Sequence, residues 1–370
     1  MALPFALPAD RPWRVLGLMS GTSADGVDAV VAEVDPAGFQ GGRPFRALLA
    51  HHHHPYPDPL RQAVVEAASD RLRPGELCIL QRHLGEAHAE AARALAHLDP
   101  DFTSLHGQTV QHHPGEGATL QLADPYLAAL ALQRPVVWDL RRMDLALGGQ
   151  GAPLVPLTEL WLRGQAAPWV ALNLGGIANV TVWDGRRVRA WDVGPGMSLL
   201  DLAARRWLHI PFDPGGAYAE GPVDEALLAA WMAHPYFAAT PPKSTGREMF
   251  GAAWLEAEAP ALEALPLGSR LATLAAFSAE ALARELGRLE ACPTEGVVSG
   301  GGAHHGRLRA ELRARLPKLA LAEDAAFPPG AREALSWALL GAASAAGIPG
   351  NLPEVTGASR PAVLGSWTFP

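Results

Sequence analysis

The chain has 370 residues, 49% hydrophobic and 18% charged, which supports large buried cores and excludes an intrinsically disordered chain. Its length favours two domains over one. A net charge of −8 disfavours nucleic acid or an anionic membrane as the main partner, while leaving room for a local basic pocket that grips an anionic ligand.

The opening MALPFALPADRPW carries prolines and an early aspartate in place of a basic n-region, so no signal peptide is expected and the reading is a cytoplasmic protein. Apolar runs Arg14–Met19 and Asp28–Val34 flank the turn SGTSADG and read as two strands. Phe45–His54 reads as a third strand ending in four histidines. Apolar residues at threes and fours, among them Leu77, Leu80, Leu84, Ala87, Ala91 and Leu95, give helical periodicity across 58–98. Short strands follow in LHGQTVQHHPGEGATLQLAD, then a helix over Pro125–Leu132 and a buried strand in PVVWDL.

After GGQGAP a new unit begins. PWVALNLGGIANVTVWDG repeats the strand, glycine turn, strand pattern of the opening, which points to an internal duplication. Helices are expected over 197–208, 223–234 and 269–291, a strand at GVVSG, a helix from Arg307 and a last helix over 331–346. Strand clusters alternating with helices make the class α/β. The lobes divide as 1–160 and 161–346, with 347–370 packing back on the first. The uncharged stretch Ala334–Pro353 contains Gly341, Gly347, Pro349 and Gly350, so it reads as a buried helix and not a membrane span. Cys78 and Cys292 form neither a disulfide framework nor a CxxC metal site. Only Lys243 and Lys318 among the 30 basic residues are lysine, and Lys243 lies in the motif-like stretch PKSTGREMF.

Five glycine-rich constellations could carry chemistry. In the first turn, Thr22 and Ser23 offer hydroxyls, and Asp25 and Asp28 can hold Mg²⁺ directly or through water. A plain Gly- and Asp-containing β-turn fits the same residues. No Gly-Lys-[Ser/Thr] follows, so it is not a Walker A loop. The second turn, Asn173 to Asn179 with Gly175 and Gly176, has the same logic, and its duplicated position reinforces the first. Gly300, Gly301 and Gly302 follow a strand and precede a helix, where backbone N–H groups can approach a flat or anionic ligand. Asp192, delivered to a Gly-Pro-Gly turn, suits a general base or an Asx-turn. Arg141, in DLRRMD, can grip a substrate carboxylate or make an inter-domain salt bridge. His51–His54 read as a polar surface run, because consecutive histidines lack i, i+4 ligand spacing. His106, in LHGQT, is a better site candidate than His112 or His113. No Ser-His-Asp order or G-x-S-x-G elbow appears.

Two hairpin turns and a late GGG loop resemble the actin, Hsp70 and sugar-kinase superfamily. The ordered series MSGTSADGVD, HGQT, DLRRMD, GGQGAPLVP, NLGGIANVT, WDVGPG, PKSTGREMF, VSGGGAH and NLPEVTGASRPAVLG resembles the anhydro-N-acetylmuramic acid kinase family across nearly the whole chain. The resemblance implies two duplicated RNase H-like domains with a central nucleotide cleft. It implies conversion of 1,6-anhydro-N-acetylmuramic acid, with MgATP and water, to N-acetylmuramic acid 6-phosphate in peptidoglycan recycling. A homodimer is the family expectation. Carried onto this sequence, Asp192 is the base on water. Gly21, Thr22, Ser23, Ala24, Asp25, Gly26, Val27 and Asp28 form the ATP-phosphate segment, with Asp25 as the Mg²⁺ contact. Gly175, Gly176 and Asn179 form the second phosphate turn, and Gly300–Gly302 the nucleotide-side loop. His106, Gln108, Arg141 and Glu333 fall on the sugar side. The chain departs from the family with Leu140 for Phe, Val193 and Met197 for Thr and Asn around GPG, and His305 for Asn. The runner-up is another sugar kinase of this fold, without hydrolysis. An actin- or Hsp70-like switch would need an extra partner-binding module, which the sequence lacks.

Overall fold

The computed structural model describes residues 5–370 apart from Thr22, Pro242, Ala325 and Pro329. In chain order the strands are β1 Trp13–Met19, β2 Gly26–Val34, β3 Phe45–Pro55, β4 Phe102–His106, β5 Gln108–His113, β6 Ala118–Leu122 and β7 Val136–Trp138. They continue as β8 Trp169–Leu174, β9 Ile177–Trp183, β10 Val188–Pro195, β11 Glu295–Ser299, β12 Ala320–Glu323 and β13 Ser366–Thr368. The chain divides into two units, one of Met1–Gly164 with Ala326–Pro370, the other Gln165–Ala325.

Each unit is built on one mixed sheet, and the two sheets share a topology. In the first, the order is β13-β7-β4-β1-β2-β3. β1, β2 and β3 form an antiparallel meander, and β4 and then β7 continue parallel to β1. In the second, the order is β10-β9-β8-β11-β12, again an antiparallel meander whose first strand, β8, pairs with parallel β11 and then β12. Both units therefore follow the RNase H-like order, and the duplication legible in the two hairpins extends to the whole sheet.

The central strands are apolar on both faces, as parallel strands covered by helices must be. Val15, Leu16 and Leu18 of β1 are fully buried. Helices Pro74–Ala94 and Ala331–Ala345 both pack on β1 and β2. The latter comes so close that a Cβ on Gly17 would lie 2.3 Å from the Ala334 carbonyl oxygen. In the second unit, helix Leu267–Gly287 is the core element, buried along most of its length beside Phe237 and Phe250.

Several expected elements differ in extent. The helical stretch over 58–98 is two helices, Asp58–Ala68 and Pro74–Ala94. Pro74 cannot continue a preceding helix but suits a first turn, and the Arg73 N–H donates to Glu76 Oε2 at 2.7 Å as a cap. Helices Val155–Arg163 and Ala252–Glu263 were not expected; Pro260 lies inside the second. The first unit also takes more of the C-terminus than the expected division at 346: the chain returns to it at Ala326. Helix Ala331–Ala345 belongs there because its apolar face covers β1, β2 and β4. No helix among the described residues is long and apolar enough to cross a membrane.

Gly17→Val would drive a branched side chain into helix Ala331–Ala345. Overpacking of this kind costs about 1–3 kcal/mol, so the denaturant midpoint should fall; an unchanged midpoint would refute the close approach.

Candidate active site

In the first unit, β1 and β2 pair through Met19 and Asp28, leaving the turn from Ser20 to Asp25. Ser23 Oγ donates to Asp25 Oδ1 at 2.7 Å, and Ala24 takes a left-handed φ of 55°. Ala24 and Val27 bury their side chains, so only their backbone can face a ligand. Thr22 lies outside the described residues. Gly26 has to be glycine, since a Cβ there would sit 2.3 Å from the His54 carbonyl oxygen.

A buried relay fixes the start of this turn. His88 Nδ1 lies 2.6 Å from the Leu84 carbonyl, so that nitrogen carries the proton. Its Nε2 then accepts from Ser20 Oγ at 3.0 Å, and Ser20 Oγ accepts from the Tyr56 hydroxyl at 2.8 Å. Burial pushes His88 down to about 4 and raises Tyr56 well above the ordinary phenol range, so both stay neutral.

The four histidines of β3 are half-buried or exposed, in keeping with a polar surface run, and His51, His53 and His54 also reach acidic partners. Alternation along β3 turns His51 and His53 to one side, where His51 Nε2 and His53 Nδ1 lie 2.9 and 3.1 Å from Asp28 Oδ1. His54 faces the other way, 3.2 Å from Glu90.

Gln108 Nε2 donates to the Gly21 carbonyl at 2.9 Å, while its buried Oε1 finds no partner among the described residues. Beyond the end of β4, Arg141 Nε donates to His106 Nε2 at 2.9 Å and Nη1 to the Gly151 carbonyl at 2.8 Å. The His106 ring stacks on Trp337 with centroids 4.0 Å apart, and the Arg141 guanidinium lies 4.9 Å from the same indole. Burial, with the Arg141 charge, holds His106 well below the ordinary imidazole range, so it accepts as a neutral ring. Burial brings Arg141 down to about 10, opposed by the Glu333 charge, and the group remains cationic at neutral pH. Glu333 is solvent-accessible, yet the protein surrounding it raises its pKa; Arg141 opposes this, and Asp28 and Asp25 add to it. His106, Gln108, Arg141 and Glu333 thus gather beside the first turn.

In the second unit, the carbonyls of Gly175 and Gly176 accept from the N–H groups of Gly196, Met197 and Ser198 at 2.7–3.0 Å. The second turn is thereby locked to the Gly-Pro-Gly turn, and Asn179 sits opposite Asp192 in the β9–β10 register. Asp192 Oδ2 accepts from Ser244 Oγ at 2.8 Å and the Thr245 N–H at 3.2 Å; no described residue bonds Oδ1. Burial raises the Asp192 pKa, these two donors oppose it, and the Glu248 charge adds to it. Ser244 and Thr245 thus supply one side-chain and one backbone donor to Asp192.

The three glycines divide in role. Gly300 has a φ of 80°, and a Cβ there would lie 2.7 Å from Asn173 Oδ1; one on Gly302 would lie 2.6 Å from Leu174 Cβ. A Cβ on Gly301 would meet nothing within 4 Å, so packing gives no reason for that glycine. His305 turns inward: Nδ1 accepts from the Leu308 N–H, and Nε2 lies 3.5 Å from buried Asp213. Sequence reasoning missed Trp337, the Ser20–His88–Tyr56 relay, the Ser244 and Thr245 donors and Arg247. The Arg247 guanidinium lies within van der Waals contact of where a Gly176 Cβ would be. The stretch PKSTGREMF was the available signal for Ser244, Thr245 and Arg247.

Residues 13–370 match the family model described as anhydro-N-acetylmuramic acid kinase. The chain belongs to the anhydro-N-acetylmuramic acid kinase family. A relative of that name from Synechococcus sp. (strain CC9605) is 45% identical, over 95% of this chain and 98% of its own. One from Synechococcus sp. (strain CC9902) is 43% identical, over 96% and 100%, and one from Cupriavidus pinatubonensis is 41% identical, over 95% and 97%. Membership in this kinase family gives the glycine turns and the carboxylates a common context.

Gly301→Ala should keep the thermal midpoint, while Gly302→Ala, forced into Leu174, should lose about 1–3 kcal/mol. Equal losses at both positions would refute the division of roles. His88 binds a proton near pH 6.5 when unfolded and near 4 when folded. The unfolded state therefore holds more protons in that window, so stability should decline as pH falls from 6.5 to 4. His88→Gln should flatten the slope of unfolding free energy against pH.

Proposed function

We propose that this enzyme opens 1,6-anhydro-N-acetylmuramic acid with water while passing the γ-phosphoryl group of ATP to O6, as part of cytoplasmic peptidoglycan recycling. Water attacks C1 and gives its proton to Asp192. The C1–O6 bond breaks, and O6 takes the phosphoryl group. The products are N-acetylmuramic acid 6-phosphate and ADP. The observation that carries this reading is the state of Asp192: one carboxylate oxygen is held by two donors, the other is unengaged by described residues, and burial raises its basicity.

The remaining residues divide between positioning and charge neutralisation, which is what phosphoryl transfer asks of a protein. Arg141, braced by His106 and Trp337, suits the lactyl carboxylate of the sugar. Gln108 and Glu333 offer polar atoms beside it. Residues 21–28, Gly175, Gly176, Asn179 and Gly300–Gly302 suit the nucleotide. Among the described residues no three His, Cys, Asp or Glu side chains form a metal-holding group. Mg²⁺ commonly takes one or two carboxylates with substrate phosphates and water, and exposed Asp25 fits that need. Bound there, Mg²⁺ would neutralise phosphate charge.

Brief incubation with the anhydrosugar and MgATP in H₂¹⁸O, quenched before anomeric exchange, should place ¹⁸O at C1 with one ADP formed per sugar. An unlabelled phosphorylated anhydrosugar would mean transfer to a free hydroxyl and would overturn the reading. Asp192→Asn should lower kcat by about 10²–10⁴ with ATP binding retained; near-normal turnover would remove Asp192 as the base.

A further inference from the structure

Asp192 is held by a segment without helix or strand, which follows the turn Pro235–Phe237. The Asp192 N–H donates to the Lys243 carbonyl at 3.3 Å. Its carbonyl accepts from the Tyr236 hydroxyl at 2.7 Å. Its carboxylate accepts from Ser244 and Thr245, the two residues after Lys243. What fixes this segment is a buried ion pair. Lys243 Nζ donates to Glu285 Oε1 at 2.9 Å and to the Tyr236 carbonyl at 3.1 Å, and lies 4.6 Å from the Tyr236 ring centroid. The two side chains are only 5% and 1% exposed. The same Glu285 accepts from Trp191 Nε1 at 3.0 Å and from Arg288 Nη1 at 2.7 Å.

Glu285 therefore clamps the residue immediately before Asp192 and the residue immediately before its donor Ser244. Burying a lysine costs free energy unless the pairing is close and well hydrogen-bonded. This chain uses lysine at only two positions, and one of them is here. A compact ammonium serves the carboxylate, the carbonyl and the ring from one point.

We propose that Lys243, through its pair with Glu285, is a positioning residue that aims the Asp192 carboxylate by anchoring Ser244 and Thr245. The proposal rests on the reading of Asp192 as the base. The titratable and charged groups around Asp192 are Glu248, the Tyr236 phenol, Lys243 and Glu285, with Arg288 on the far side of Glu285. Arg247 acts on Asp201. Loosening Ser244 and Thr245 removes donors to the charged carboxylate, which raises its pKa.

The test compares Lys243→Met, Glu285→Gln and the double variant by circular dichroism, ATP binding and pH–rate profiles. The expected result is a folded protein that binds ATP normally, has kcat lowered roughly 10- to 100-fold, and shows the acid limb of kcat/KM moved to higher pH. A merely structural pair would change stability and leave the limb in place. An unmoved limb in every folded variant overturns the proposal, and so does failure of all three variants to fold, since the pair would then be building the unit and not aiming the base. An active Asp192→Asn enzyme would instead defeat the underlying reading. A dead Asp192→Asn with an unmoved limb in the pair variants defeats only this proposal.

Discussion

The cluster of His106, Arg141 and Trp337 in the first unit depends on how near helix Ala331–Ala345 comes to the sheet. Two glycines make that contact, and both are sterically required. A Cβ on Gly17 would strike the Ala334 carbonyl, and one on Gly341 would come 2.4 Å from Ser104 Cβ. The Ser104 hydroxyl then donates to the Trp337 carbonyl at 2.6 Å. With the helix this close, the Trp337 ring reaches His106 at the end of β4, and Glu333 reaches the neighbourhood of Gly21. A shift of an ångström would separate the indole from the imidazole and unbrace Arg141.

The brace has an electrostatic consequence. A buried guanidinium needs compensation, and Arg141 receives neutral partners: a ring nitrogen, a carbonyl and an indole face. Among the described residues its nearest formal counter-charge is Glu333, which acts on it without a salt bridge at contact distance. Such a group retains an unmet preference for an anion. His106 is suited to this because burial keeps it from protonating and repelling its neighbour. The chemistry of an arginine site is thus set as much by what the protein withholds as by what it supplies.

Much of this was legible in the sequence, because hairpins and glycine loops are local. Arg14–Met19, SGTSADG and Asp28–Val34 announce two strands and a turn within a short window, and the echo at NLGGIANVT announces the duplication. Long-range packing was not legible. Helix Ala331–Ala345 reads as a helix from its own residues, but its unit is decided by Gly17 and Ser104, hundreds of positions earlier. The contact of His51 and His53 with Asp28 was not legible in the polar run, because Asp28 lies on another strand. Even the glycines of VSGGGAH carried a mixed message. Two are glycine for internal packing and left-handed backbone, and only the middle one lacks an internal reason. Ser244 and Thr245 could not be linked to Asp192 by spacing, since irregular backbone brings them together.

Duplication of the scaffold did not duplicate the chemistry. In the first unit the second strand carries the carboxylate, Asp28, and the third strand places His53 opposite it. In the second unit the third strand carries the carboxylate, Asp192, and the second strand places Asn179 opposite it. Asp28 has one oxygen, Oδ1, against two imidazoles. Asp192 is held by one oxygen from one side, raised in pKa by burial, and left with an oxygen that no described residue engages. The repeated hairpin thus carries its carboxylate on the second strand in one unit and on the third strand in the other. The two carboxylates differ in what holds them: imidazoles of the third strand itself lie against Asp28, whereas Asp192 is held by the Lys243–Thr245 segment, stapled to Glu285.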